Sequence, residues 1–411
     1  MNKKNKKKQG KVKKSVISGK ALIAIIAVSV ILLAAVITTV ILVTRGNDGS
    51  AGWQEVTAQD VDKDFSERFI LNYDVDEKNG ADYDTISKLY GSKLSRLYSI
   101  FYDTSDETDI KGLSYLNARI GLETEVEPEL YHAFELCLNH GDRLFTLGPV
   151  FEYYNKIFES ARDSAAALYD PHKNSNSENI CMQLMSYASD DNFISVTLYG
   201  ENRVLINVSS EYSELMSDLR LKSYVGFGWL TDAFIVDEIA DAFTSEGYTH
   251  GSISSYDGFI RNMTTDNSDY SFGLYDLYRD NVYLAASISY KGALSTVNYK
   301  KFSMNDIDGK YLYSYGGGDV AHRYVDAETG KYLAACDSML FHAKEMGCAD
   351  LALSTYSQYV REVEDKEAIS ELLELGIGAV YCDGTNIIHT SDDISIHDLY
   401  SSDSVNYTVT K

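Results

Sequence analysis

Proline is nearly absent from this chain, three residues in 411. Together with 12% aromatic side chains, that excludes a polyproline or collagen-like chain and also a disordered one, which would be poor in aromatics. Cysteine is sparse. Cys137, Cys181, Cys336, Cys348 and Cys382 show no CxxC or CxxH spacing, which argues against a zinc site and against a dense disulfide framework. They are expected as small buried hydrophobes, with one or two incidental bridges at most. Basic side chains are scarce beyond the N-terminus: residues 46–411 carry 27 against 61 acidic ones, a net of −34. Nucleic acid needs a basic footprint and is excluded as a partner of this part. No repeat at a solenoid period is present.

The N-terminus is the opposite in character. Eight of the first 14 residues are lysine, and residues 21–43 are uncharged and rich in Ile, Val, Leu and Ala. That run exceeds the ~20 residues needed to cross a bilayer core, and it is longer than the apolar region of a signal peptide. The positive-inside rule keeps the lysines in the cytoplasm and places the remainder outside. The expected organisation is a basic cytoplasmic tail over 1–20, a transmembrane helix over 21–44 in the cell membrane, a polar linker over 45–65, one folded external domain over 66–390, and a C-terminal tail over 391–411 that is either an edge strand or loose.

Within the external part, Ile86, Leu89, Tyr90, Leu94, Leu97 and Tyr98 recur at three- and four-residue intervals, which predicts an amphipathic helix over 83–101. A second helix opens at Pro128, is expected to bury Leu130, Phe134, Cys137 and Leu138, and stops at Gly141. LKSYVGFG (221–228) reads as a strand entering a glycine turn. Thr231 is expected to cap a helix with Ile235, Val236, Ile239 and Phe243 on one face. SISS (252–255) reads as a strand and AISELLEL (368–375) as helical. GAVYCDGTNIIHT (378–390) is a hairpin about Asp383-Gly384. The mixed order predicts an α+β fold.

Several segments, taken in order, resemble the ApbE family of FAD:protein FMN transferases over roughly 66–390. They are LSRLYSIFY, Leu116-Asn117, EVEPELYHAF, LFTLGPVFEYY with Gly148-Pro149, GFGWLTDAFIVD with Gly228, Val236 and Asp237, Asp257-Gly258-Phe259-Ile260-Arg261, STVNYKKF with Tyr299, RYVDAETG with Asp326, Thr329 and Gly330, and ADLALST with Asp350 and Ser354. The resemblance implies a single ApbE-like, T-fold-like domain that moves FMN from FAD to a Thr or Ser hydroxyl of a partner protein. AMP would leave, and magnesium and positioning would supply most of the catalysis.

Asp350 and Ser354 stand one helical turn apart and can offer a carboxylate and a hydroxyl to one ion; with Thr231 they form the implied metal set. Arg323, His322 and Asp326 are the implied catalytic residues. Gly228, Asp257, Gly258, Tyr299, Thr329 and Gly330 are the implied flavin-binding ones.

The sequence also departs from the family. Its AKG lysine falls on Asp232, a swing of two charges that helps only if Asp232 joins a metal's shell. Trp229 stands where a glycine lets the ligand approach. Asp257 and Phe259 replace a glycine and an aspartate, Arg323 takes the histidine's place, and Ala327 replaces a proline. Arginine can grip phosphate but cannot act as a base. These departures motivate the alternative expectation: the same fold retained as a catalytically impaired, membrane-anchored flavin-binding or partner-binding module.

Overall fold

The computed structural model describes residues 52–76, 82–102, 109–264, 267–305 and 307–410. The segment 21–44 lies outside them; among the described residues no helix is long and apolar enough to cross a membrane. All that follows concerns one compact unit, within Arg45–Lys411.

Its frame is a nine-stranded sheet of Gly52–Val56 (β1), Phe69–Val75 (β2), Gly251–Ser255 (β3), Phe259–Asn262 (β4), Ser295–Lys300 (β5), Ser338–Ala343 (β6), Gly378–Asp383 (β7), Asn386–His389 (β8) and Thr408–Thr410 (β9), numbering only the strands of this sheet. Spatial order equals chain order, and neighbours are antiparallel except β8 and β9, which are parallel. The helices used below are Tyr83–Phe101 (α1), Pro128–Asn139 (α2), Gly148–Phe158 (α3), Thr231–Ser245 (α4) and Cys348–Tyr359 (α5). The first four leave the sheet between β2 and β3, and α5 lies between β6 and β7, giving the expected α+β class.

Strand alternation divides the sheet's two faces. Met339, Phe341, Ala379 and Tyr381 join the large core shared with the helices, where Ile235, Val236, Ile239 and Phe243 of α4 are fully buried. Leu340, Val380 and Ile387 point the other way, into a second core. That core is closed by the hairpin Asp269–Tyr278/Asn281–Lys291 and by Ile394–His397 on its edge. A sheet covered on both faces explains why every residue of β6 is buried.

α1, α2, the strand at 252–255 and the 378–389 hairpin lie where the sequence predicts them. Other expectations change. Gly52–Val56, expected as linker, pairs with β2, and Phe65 is buried beside it, so the polar spacer is shorter than 45–65. The 221–227 stretch is not a strand: the Asn117 side chain bonds the Val225 N–H and C=O, at 3.0 and 2.9 Å, in place of a ladder. Thr231 is the first helical residue and makes no side-chain cap. Leu138 is exposed, and Ala133 takes its place in the core. All five cysteines are free, with Cys137, Cys181 and Cys348 buried.

The 391–411 tail supplies Ile394–His397 and β9, and buries Val405 and Tyr407 because the second core needs them. Tyr407 also donates to the Asp276 carboxylate at 2.8 Å. Replacing Tyr407 by Ala should therefore lower stability by about 3 kcal/mol in urea unfolding, as for a buried aromatic; a loose tail would give no change.

Candidate functional site

The site begins with strand register. Phe69 pairs with Ser255 across β2 and β3, so Arg68, one residue before β2, and Asp257, two after β3, emerge on the same edge of the sheet. The first turn of α4 adds Asp232 to that edge. Arg68 Nη2 donates to both Asp232 oxygens, at 3.0 and 2.9 Å, and lies 3.2 Å from Asp257 Oδ2. Arg323 forms an ion pair with the same Asp257 oxygen at 2.8 Å, and its Nη2 donates to the Asp257 carbonyl at 3.2 Å. Tyr102, closing α1, donates to Asp232 Oδ1 at 2.6 Å. The Tyr102 and Tyr311 rings lie near the guanidiniums, with Arg68 4.8 Å from Tyr102 and Arg323 5.2 Å from Tyr311.

Two arginines and two aspartates thus form a closed, charge-balanced, buried group. Burial pushes the Asp232 carboxyl above its ordinary range, Arg68 offsetting this only in part. At Asp257 burial is outweighed by Arg323 and Arg68, which hold its pKa below the usual carboxylate range. Burial likewise keeps Tyr102 protonated, as a donor.

Against this group lies a cleft of about 280 Å³, just under the ~300–1,000 Å³ usual for small-molecule pockets. Its walls are largely aromatic: Phe101, Tyr102, Phe151, Phe158, Phe227, Trp229 and Tyr311. Gly148, Gly226, Gly228, Thr231 and Arg323 are also among the lining residues. Gly228 is held at φ +54°, and a Cβ there would meet the Phe151 ring at 2.6 Å. Glu152 also lines the cleft, accepting from the Lys222 and Ser223 amides at 2.8 and 2.9 Å.

Trp229 does not plug this cleft. Its ring stacks on Tyr356 at 4.7 Å and lies near-parallel to Phe259 at 6.2 Å, so one edge of a buried aromatic layer forms the wall.

The other residues singled out from the sequence are placed elsewhere. Tyr299 is buried in that layer, stacked on Tyr359 at 5.0 Å, with its hydroxyl on Ala352 C=O at 3.0 Å. Gly258, at φ +100°, lets the backbone pass against the Asn298 carbonyl. Asp326 accepts from the Thr329 amide and hydroxyl at 2.8 and 2.6 Å, which closes this turn on itself, and the Gly330 carbonyl accepts at 2.7 Å from Tyr154 of α3, a lining residue of the cleft. His322 is buried against Tyr332, not on a surface loop, and burial lowers its pKa to about 3.

Asp350 and Ser354 share a face of α5, but Asp350 Oδ1 meets His140 Nε2 at 2.7 Å and neither residue lines the cleft. The helix they stand on is braced by Asp237, whose two oxygens accept from the Cys348 and Ala349 amides at 2.8 Å each while Arg261 pairs with it at 3.0 Å.

The implied metal set is not gathered at the cleft: Thr231 lines it, whereas Asp350 and Ser354 do not. Among the described residues no group of three or more His, Cys, Asp or Glu side chains could hold a metal. Asp232, which the sequence offered to a metal shell, has both oxygens occupied by Arg68.

Sequence reasoning missed Arg68, Tyr102 and Tyr311. Tyr102 ends the LSRLYSIFY stretch but drew no role from it, and Arg68 and Tyr311 sit in no recognisable motif; the one available signal was an arginine opening an apolar strand in an otherwise acidic chain.

Neither a protein-family model nor any curated protein matches this sequence significantly. Solved structures do. The ApbE protein of Thermotoga maritima superposes with a TM-score of 0.54 at 13% identity, over 85% of this chain and 97% of that one. The flavin transferase ApbE of Vibrio cholerae gives 0.54 at 13%, over 87% and 98%. A variant of the latter gives 0.52 at 12%, over 86% and 98%. At such identities the likeness concerns the fold, and this chain has a divergent ApbE-like fold.

Two outcomes follow. Arg68→Ala should cost about 3–5 kcal/mol in urea unfolding, because it strands a buried carboxylate, whereas Arg68→Met combined with Asp232→Leu should recover most of that loss. His322 is held neutral, its folded pKa lying below the ordinary 6.5. Its contribution is therefore complete above pH 6.5 and lost as pH falls from there towards 3. Between pH 7.5 and 5 it should remove about 2 kcal/mol, a loss absent from His322→Leu when both are followed by unfolding at each pH.

Proposed function

We propose that this protein is a membrane-anchored flavin-binding member of the ApbE fold whose cleft is not equipped for magnesium-dependent FMN transfer. One observation carries the flavin reading: four separate stretches of the family resemblance, at Phe101-Tyr102, Gly148, Gly226–Thr231 and Arg323, converge on one aromatic-walled cleft. Flat aromatic walls suit a flat ring. The membrane segment is 21–44, with the lysine tail in the cytoplasm and the flavin domain outside, as the charge asymmetry favours.

The loss of transfer follows from the charge-balanced group. Attack of a partner's Thr or Ser hydroxyl on the FMN phosphorus of FAD, with AMP leaving, builds negative charge on phosphate oxygens, and that charge needs cations free to meet it. Here Arg68 and Arg323 are already held by Asp232 and Asp257. His322, neutral and buried, does not line the cleft.

A second reading, FMN transfer from FAD to a protein acceptor with magnesium, is favoured by Asp350 and Ser354 on one braced helix face. It requires Asp350 to leave His140. Mass spectrometry separates the two readings. The full-length protein in detergent, mixed with FAD, magnesium and a flavin-acceptor domain, should quench flavin fluorescence yet leave the acceptor's mass unchanged, and Phe151→Ala should weaken flavin binding about tenfold. Acceptor carrying added FMN would establish the transferase instead.

A further inference from the structure

The charges around the cleft bear on which flavin it takes. Among the described residues that line it, Arg323 is the one cation and Glu152 the one anion. Arg323 is held by Asp257 at its side-chain and main-chain oxygens. Behind the wall, Arg68 is held by Asp232 and Asp257. Counting Glu152, three carboxylates face two guanidiniums.

The helix terminus is in the same condition. The start of a helix attracts phosphate through its unpaired amides and dipole. At the start of α4, beside Gly228 and Thr231 in the cleft wall, the first turn already carries a buried carboxylate, Asp232. The amide dipoles of that turn already face the chain's own carboxyl group, which is held by Arg68 and Tyr102, and the surrounding domain is strongly acidic.

We infer that Asp232 and Asp257 set the ligand class of this cleft: an uncharged isoalloxazine ligand of the riboflavin type, preferred over its phosphorylated forms FMN and FAD. This rests on the flavin reading above. It differs from what the family resemblance implies, because both guanidiniums at the cleft are paired with carboxylates while the ring keeps its aromatic walls.

The test is fluorescence titration of the full-length protein in a neutral detergent with riboflavin, FMN and FAD, at 0.05 and 0.5 M NaCl. Riboflavin should bind at least tenfold more tightly than FMN or FAD. Salt should strengthen FMN binding by screening repulsion and leave riboflavin binding unchanged. Asp232→Asn should narrow the riboflavin-to-FMN ratio about tenfold, its folding checked by circular dichroism. If that variant does not fold, the wild-type ranking and the sign of the salt effect decide the matter. FMN or FAD binding more tightly than riboflavin, or FMN binding that weakens with salt, overturns the inference and leaves the flavin reading intact. Binding of none of the three overturns both.

Discussion

The contact between Arg68 and Asp232 is the constraint on which the rest of the site depends. A carboxylate removed from water at the start of a helix needs a cation, and the antiparallel register of β2 and β3 delivers one from the edge of the sheet. Once the two meet, the end of α4 is fixed against β2, and Gly228 and Thr231 fall into the cleft wall. Asp257 then serves two guanidiniums at one oxygen, which ties the segment carrying Arg323 to the same edge. Local register, helix position and cleft chemistry follow from one buried charge and its partner.

Residues shared with the family resemblance divide by what they touch. Asp237, Arg261, Tyr299, Asp326 and Gly330 brace the fold: two hold the start of α5, one packs in the aromatic layer, and two close a turn. They keep their role whatever the cleft binds. The residues of the buried charge group beside the cleft are the ones that differ, at positions 232, 257 and 323. A scaffold can therefore persist while its electrostatics change, because the bracing contacts and the cleft's charges are separate interactions.

Much of the fold was legible because it is periodic. The three- and four-residue spacing of α1 and α4, Pro128 at the head of α2 and the Asp383-Gly384 turn are local signals, and the helices and hairpin lie there. What was not legible depends on partners distant in sequence. Asn117 holding the 225 backbone, Tyr407 filling a second core, and Arg68 waiting for Asp232, 164 positions away, leave no trace in any short window. Asp232 looked like a repelling charge or a metal ligand because its counterion was invisible. Trp229 looked like a plug because the layer formed by Tyr356 and Phe259 comes from other elements. Motif order located the cleft; only three-dimensional pairing revealed that its cations were already engaged.

The central claim concerns where the guanidinium of Arg323 rests when a phosphorylated flavin is offered. A crystal structure of the protein soaked in FMN addresses it directly. The account predicts Arg323 still on Asp257, Arg68 still on Asp232, and any bound FMN with its phosphate turned out to solvent. Arg323 released from Asp257 and closed on the phosphate would contradict it.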